Sequence, residues 1–62
     1  MDLKLCQEIA ALPLAERLTR YDQLAERALQ MAVLTYDRET RREYLTTAAE
    51  WRDLAREAER EL

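Results

Sequence analysis

Glycine and histidine are absent from this sequence of 62 residues, and proline and cysteine occur once each. Without histidine the chain has no Cys–His catalytic pair, and it lacks the ligands of a zinc finger or of a bundle di-metal site. A single cysteine cannot form a disulfide within the chain. Because no glycine-rich phosphate loop or nucleophile motif is present either, we expect no catalytic residues, no metal, no cofactor and no enzymatic activity.

The sequence also lacks a long uncharged apolar run, and no segment approaches the roughly 18 residues that a membrane-spanning helix needs. Its N-terminal part carries Asp2 and Glu8 and has neither the basic start nor the cleavage site of a secretory signal. Lys4 is the only basic residue of the first predicted helix, which argues against attachment to a membrane surface. We expect a cytoplasmic protein without a membrane partner.

Neither sign of charge dominates, since 10 Lys and Arg stand against 13 Asp and Glu, for a formal net charge of −3. Proteins that bind DNA gain affinity from cations that replace phosphate counterions, and a net negative charge opposes that gain. The composition therefore argues against nucleic acid as a partner. A domain of this length buries only about 60% of its unfolded surface, so with no disulfide or metal we expect oligomerisation to support the fold.

The abundant residues are Ala, Leu, Glu and Arg, the strongest helix formers, and they predict an all-α fold. A short first helix is expected over about residues 3–11, where Asp2 can cap its start. Pro13 ends this helix and suits the first turn of a second helix, expected over about residues 13–34.

A turn is predicted at residues 35–37, because Asp37 has the short side-chain acceptor that caps a helix start. The third helix is then expected over about residues 38–61. A single continuous helix through these positions is the competing prediction, since no glycine enforces a break.

Both long helices carry apolar residues at alternating steps of three and four, the spacing of a heptad repeat. In the second helix this series is Leu14, Leu18, Tyr21, Ala25, Ala28, Ala32 and Thr35. In the third helix it is Tyr44, Ala48, Trp51, Ala55, Ala58 and Leu62. Folding the chain back at the turn keeps the two series in register and places Tyr21 near Trp51 or Arg52. We therefore expect an antiparallel helical hairpin in a single domain, with alanines that allow the helix axes to approach closely.

The apolar surface of the second helix is wider than one partner helix can cover. The surplus residues are Leu24, Leu29, Met31, Val33 and Leu34. We expect a homodimer in which two hairpins form a four-helix bundle that buries this surplus. The first helix is expected either to fold over the open end of the hairpin or to join a neighbouring chain. The residues predicted at the helix–helix or subunit interface are Leu18, Tyr21, Leu24, Ala25, Ala28, Met31, Ala32, Tyr44, Leu45, Ala48, Trp51, Leu54 and Ala55.

Residues 44–55, with the sequence YLTTAAEWRDLA, carry a resemblance to a known group. Together with spaced positions from Tyr21 onward they resemble short uncharacterised bacterial helical-hairpin proteins whose core reads Tyr-Leu-x-x-Ala-x-x-Trp-x-x-Leu-Ala. The resemblance implies a helical hairpin and no activity. Arg38 and Ala28 depart from that group, which often has proline and sometimes cysteine at these places.

The sharpest polar feature is the stretch DRETRRE, which puts Arg38, Arg41 and Arg42 into the first turns of the third helix. Cations there oppose the helix dipole. One interpretation is local compensation on a solvated face, with Glu39 meeting Arg42, and Asp37 meeting Arg38 or Arg41. The other is a contact with an anion or an RNA backbone at the tip of the hairpin.

Single residues that could carry chemistry also have simpler interpretations. Cys6 is expected to pack as a small hydrophobe, with an intermolecular disulfide as the alternative. Trp51 is expected to fill space in the core or in an interface rather than to stack on a ligand. The leading function is a non-enzymatic protein–protein interaction module, a small adaptor or regulator whose protein partner stays unidentified. The alternative is binding of RNA or another nucleic-acid backbone through the arginine cluster, assisted by stacking on Tyr36 and Tyr44.

Overall fold

The computed structural model describes residues 3–62, which contain three α-helices and no strand. Helix α1 spans Leu3–Ala10, α2 spans Leu14–Leu34 and α3 spans Arg38–Glu59. The two long helices pack against each other as a hairpin. The expected capping role of Asp2 lies outside the described residues.

The turn of the hairpin lies at residues 35–37, where the backbone leaves the helical region. Thr35 has φ −91° and ψ 131°, and Asp37 has φ −76° and ψ 122°, so both residues are extended. The Asp37 Oδ2 atom accepts hydrogen bonds from the backbone N–H of Thr40 at 2.8 Å and from its hydroxyl at 2.6 Å. The predicted turn and cap are confirmed, and the competing continuous helix is wrong.

The connection between α1 and α2 is tight and centres on Pro13. Its backbone has φ −55° and ψ 152°, so Pro13 is the N-cap of α2 and not its first helical residue. Helix α2 therefore begins at Leu14, one position later than the sequence suggested. Its carbonyl still accepts the first helical bond, from the Arg17 N–H at 2.9 Å. The Arg17 Nε atom also donates to the Leu12 carbonyl at 3.0 Å, which holds the connection against α2.

The hairpin packs in the register that the heptads predict. The Tyr21 and Trp51 rings stack with their centroids 6.0 Å apart and their planes at 29°. Every buried residue of α2 and α3 belongs to the two predicted series. The last member, Leu62, is 88% exposed, because α3 ends at Glu59 and residues 60–62 continue in tighter turns.

Helix α1 folds over the open end of its own hairpin. Ile9 is only 2% exposed and belongs to one cluster with Tyr21, Ala25, Trp51, Ala55 and Ala58. Around this cluster pack the partly buried residues Leu5, Cys6, Leu12, Leu14, Leu18, Leu24 and Leu54. Of the two expected positions for the first helix, the structure therefore shows the one within the same chain.

Candidate interaction surface

One face of the hairpin, called here the covered face, consists of Arg17, Leu24, Leu54 and Glu61. The Arg17 Nη1 atom lies 2.7 Å from Glu61 Oε2, which shows that these rows of α2 and α3 lie side by side. Leu24 and Leu54 pack against the cluster that also holds Ile9 of α1. The carbonyl of Leu12, just after α1, accepts a hydrogen bond from Arg17, and Arg17, Leu24 and Leu54 are half buried, which places α1 on this side of the hairpin in the half away from the turn.

The opposite face, called here the open face, has no such cover from residues 3–62. Each of its residues stands one position after a residue of the buried series, on the side of the helix away from the covered face. The open face is formed by Asp22, Glu26, Leu29 and Val33 of α2 and by Leu45, Ala49, Arg52 and Arg56 of α3. Leu29, Val33 and Leu45 line one groove together with Ala32 and Arg41, so these rows are also neighbours in space. The open face carries an apolar end near the turn.

Several large apolar residues near the turn are exposed to solvent. Val33 is 83% exposed, Leu34 73% and Leu45 47%, whereas Leu29 is half buried. Here the buried residues of the hairpin are all alanines, namely Ala28, Ala32 and Ala48. Alanine lets the helices come close, but its side chain is too small to cover the larger flanking residues, and Val33, Leu34 and Leu45 stay exposed.

Charge on the open face is divided between the two helices. Asp22 and Glu26 on α2 are acidic, whereas Arg52 and Arg56 on α3 are basic, and all four are exposed. Within residues 3–62 the only ion pair that involves any of them joins Arg56 Nη1 to Asp53 Oδ1 at 3.4 Å, inside α3. The face therefore presents an acidic row beside a basic row, without direct pairing between them.

The arginine cluster at the tip is arranged differently from the local compensation that the sequence suggested. The Arg41 Nη2 atom donates a hydrogen bond to the Thr35 carbonyl at 2.8 Å. The Asp37 carboxylate accepts hydrogen bonds from Thr40. In the part of the chain that the structure describes, no ion pair joins Asp37 to Arg38 or Arg41, or Glu39 to Arg42. Of the two interpretations, local compensation is therefore not formed as direct ion pairs, and the Asp37 carboxylate accepts both hydrogen bonds from Thr40 instead.

The capping bonds also affect the ionisation of Asp37. The hydrogen bond from the Thr40 hydroxyl, followed by the bond from the Thr40 backbone, lowers the pKa of the Asp37 carboxyl below its ordinary value of 3.8. Arg38 and Arg42 extend into solvent beside this cap, and Tyr36 is 100% exposed. Tyr44 is half buried and lines a second groove with Met31 and Trp51.

The thirteen residues predicted at an interface divide into two groups in the structure. Buried or half buried within the hairpin are Leu18, Tyr21, Leu24, Ala25, Ala28, Ala32, Tyr44, Ala48, Trp51, Leu54 and Ala55. Met31 and Leu45 are exposed, and they remain available for a contact outside the chain. Arg17 was not singled out from the sequence, although its heptad position, three residues after Leu14 and one before Leu18, indicates a flanking residue that can reach α3.

Several kinds of chemistry find no support in the described part of the chain. Residues 3–62 contain no group of three His, Cys, Asp or Glu side chains that could hold a metal ion. None of the helices in that range combines the length and apolarity needed to cross a bilayer. Cys6 is a free, half-buried cysteine. No protein-family model, no curated protein and no solved structure matches the chain.

Proposed function

We propose that the chain is a non-enzymatic protein–protein interaction module that acts as a homodimer, with two hairpins forming a four-helix bundle. The observation that carries this proposal is the apolar end of the open face, where Val33 and Leu45 are exposed beside half-buried Leu29. Single exposed apolar side chains are ordinary on protein surfaces, but neighbouring ones that line one groove indicate an interaction site.

The energetics of so small a chain favour the same conclusion. Full burial of a Val or Leu side chain contributes about 1.5–3 kcal/mol, and near the turn alanines are the only fully buried residues that the structure describes. A second copy laid on the open face supplies the missing contacts. A standard interface buries about 800 Å² per partner, which is a minor part of the accessible surface of 4933 Å².

A dimer formed through the open face leaves the second groove accessible for a further protein. That groove lies on the other side of the hairpin and is lined by Leu24, Met31, Tyr44 and Trp51 among others. A groove between two helices with apolar walls suits an amphipathic helix of a partner. This arrangement supports the role of a small adaptor or regulator, with the dimer as scaffold.

The proposal includes a cytoplasmic location, where reducing conditions keep Cys6 a thiol. The half-buried position of Cys6 against the core supports packing as its role. Membership in the group of bacterial helical-hairpin proteins that residues 44–55 resemble is part of the same proposal, and it concerns architecture alone.

The experiment that tests the proposal is sedimentation equilibrium at micromolar concentrations. We expect a mass twice that of the 7.4 kDa chain. Replacing Leu45 by glutamate places a charge in the proposed interface and should shift the mass towards the monomer while helicity is kept. The matched control is Thr46→Glu, because Thr46 is exposed on the outer side of the same helix. A folded wild-type monomer over this concentration range contradicts the proposal.

A second candidate function is binding of RNA or another nucleic-acid backbone at the tip of the hairpin. The observation that favours it is the exposure of Arg38 and Arg42 next to fully exposed Tyr36, without an ion pair within residues 3–62. Titration of labelled RNA at low and at high salt tests this function, with the double substitution Arg38→Gln and Arg42→Gln as comparison. Phosphate contacts predict binding that weakens with salt and with the double substitution. Absence of binding at low salt removes this candidate.

A further inference from the structure

We propose that two copies of the chain pack through the open face with their turns at the same end, so that α2 of each copy lies against α3 of the other. This arrangement rests on the proposed dimer, and it specifies the orientation of the two hairpins.

The levels of these residues along the hairpin follow from the Tyr21–Trp51 stack. Because these two rings pack against each other, the residues that follow them, Asp22 and Arg52, lie at about the same height on neighbouring helices. Asp22 belongs to the acidic row of the open face and Arg52 to its basic row. The apolar end, with Leu29, Val33 and Leu45, lies nearer to the turn.

Two symmetric arrangements bring the open faces of two copies together. If the two-fold axis runs parallel to the helices, the turns lie at the same end, and α2 of one copy packs on α3 of the other. If the axis runs across the helices, the turns lie at opposite ends, and each helix packs on its own equivalent. The first arrangement sets Asp22 opposite Arg52 of the second copy, whereas the second sets the acidic row of α2 against the same row of the second copy.

Charge therefore separates the two arrangements, because like charges brought together across an interface oppose association. In the arrangement with turns at the same end, the acidic row of each α2 meets the basic row of the opposing α3. In the other arrangement, with the two copies fully overlapping, α2 lies antiparallel on its equivalent, so Asp22 approaches Glu26 of the second copy and the two acidic rows meet. The division of charge between the helices thus favours the first arrangement.

The position of the apolar end gives an independent argument for the same orientation. Leu29, Val33 and Leu45 lie towards one end of the hairpin rather than at its middle. With the turns at the same end, Leu29 and Val33 of each copy meet Leu45 of the other, so the two apolar ends pack together while the copies overlap along their full length. With the turns at opposite ends, a fully overlapping pair would bury each apolar end against the charged half of the other copy, at a cost in desolvation.

Charge reversal tests the arrangement. Asp22→Arg and Arg52→Asp should each weaken the dimer roughly tenfold or more at low salt, since each turns two attractive contacts into repulsive ones. The double variant D22R/R52D restores both contacts with exchanged signs, so its dissociation constant should return towards that of the wild type. Gln23→Arg on the outer side of α2 is the matched control and should leave the dissociation constant unchanged.

A distance measurement tests the orientation without altering the open face. A spin label is attached either at Tyr36→Cys, which marks the turn, or at Arg60→Cys, which marks the opposite end of the hairpin. Each variant is made in a Cys6→Ser background, and the distance between the labels of the two copies is measured. Turns at the same end predict short distances between copies at both sites. Turns at opposite ends predict that at least one site is separated by about 30 Å or more, the length of a helix of this size.

The outcomes separate the inference from the proposal on which it rests. A wild-type monomer in sedimentation overturns both. A wild-type dimer whose dissociation constant is unaffected by Asp22→Arg and Arg52→Asp, or whose labels lie far apart, overturns the orientation and leaves the dimer standing. Weakening by each single reversal, recovery in the double variant and short distances at both labelled sites support the orientation.

Discussion

The guanidinium of Arg17 joins the carboxylate of Glu61, with Nη1 and Oε2 2.7 Å apart, across 44 positions of sequence. The same side chain donates through Nε to the carbonyl of Leu12, in the connection between α1 and α2. One arginine of α2 thus binds the residues that follow α1 and those that follow α3, at the end of the hairpin opposite the turn. Its side chain is 21% exposed, whereas that of Glu61 is 53% exposed.

Removal of Arg17 should destabilise the fold more than removal of its partner charge. Arg17→Met loses both bonds and is expected to cost about 1 kcal/mol or more, because a partly buried hydrogen bond contributes about that amount. Glu61→Gln loses only an exposed ion pair, which is worth about 0.2–1 kcal/mol and is screened by salt. Urea denaturation at one fixed protein concentration measures both. Arg20→Met, at an exposed position of the same helix, is the control, and equal losses for Arg17→Met and Glu61→Gln would contradict the role of the Leu12 bond.

The cap at Asp37 predicts a pH dependence of stability. The pKa of the Asp37 carboxyl is lowered in the folded state by its bonds from Thr40, so the unfolded chain binds a proton more readily. The contribution of the cap is then fully present above pH 3.8 and is lost as the pH falls through the lower, folded pKa. Thermal unfolding measured across this acidic range should show the loss.

Two substitutions separate the charge of Asp37 from its capping role. Asp37→Asn keeps an oxygen that can accept from the Thr40 N–H, so the helix start remains capped, while the pH dependence due to this site disappears. Asp37→Ala removes both and should lower the melting temperature at neutral pH. An Asp37→Asn variant that retains the full pH dependence would show that another carboxylate is responsible.

Much of the fold was predictable because its determinants are local. The alternation of three and four steps marks the buried residues of α2 and α3, since a helix brings such positions onto one side. The acceptor on Asp37 marks the start of α3 in the same way. The local sequence alone does not decide between a turn and a continuous helix. That choice depends also on contacts between residues far apart in sequence, such as the packing of Tyr21 against Trp51.

The features of the site that the sequence did not predict correctly involve either competition between hydrogen-bond partners or contacts between residues far apart in sequence. The proposed pairing of Asp37 with Arg38 or Arg41 failed because the carboxylate has a nearer partner in Thr40. The contact between Arg17 and Glu61 joins the beginning of one helix to the residues that follow another, so the spacing marks Arg17 as a flanking residue without identifying its partner. The exposure of apolar side chains of α2 near the turn was predictable from the width of the apolar surface of that helix, which is again a local property of the sequence.

The packing of α1 on the hairpin can be tested through Ile9. This residue is 2% exposed inside the cluster that contains Tyr21 and Trp51. Ile9→Ala should destabilise the fold by about 2–5 kcal/mol, the usual cost of truncating a buried Ile. Leu3→Ala in the same helix is the control, because Leu3 is 71% exposed. Equal midpoints of chemical denaturation for the two variants would mean that α1 does not pack on the hairpin in solution.

The close approach of the long helices depends on their alanines, and enlarging one of them should force the helices apart. Ala25 and Ala48 are each 2% exposed, and Ala48→Leu inserts a branched side chain where no space exists. Overpacking of this kind costs about 1–3 kcal/mol, so we expect a lower melting temperature, and the same direction for Ala25→Leu. Thr46→Leu places the same side chain at an exposed position on the outer side of the same helix, where it should leave the hairpin intact. Differential scanning calorimetry at a fixed chain concentration compares the variants, and an unchanged melting temperature for Ala48→Leu would place that residue outside the contact between α2 and α3.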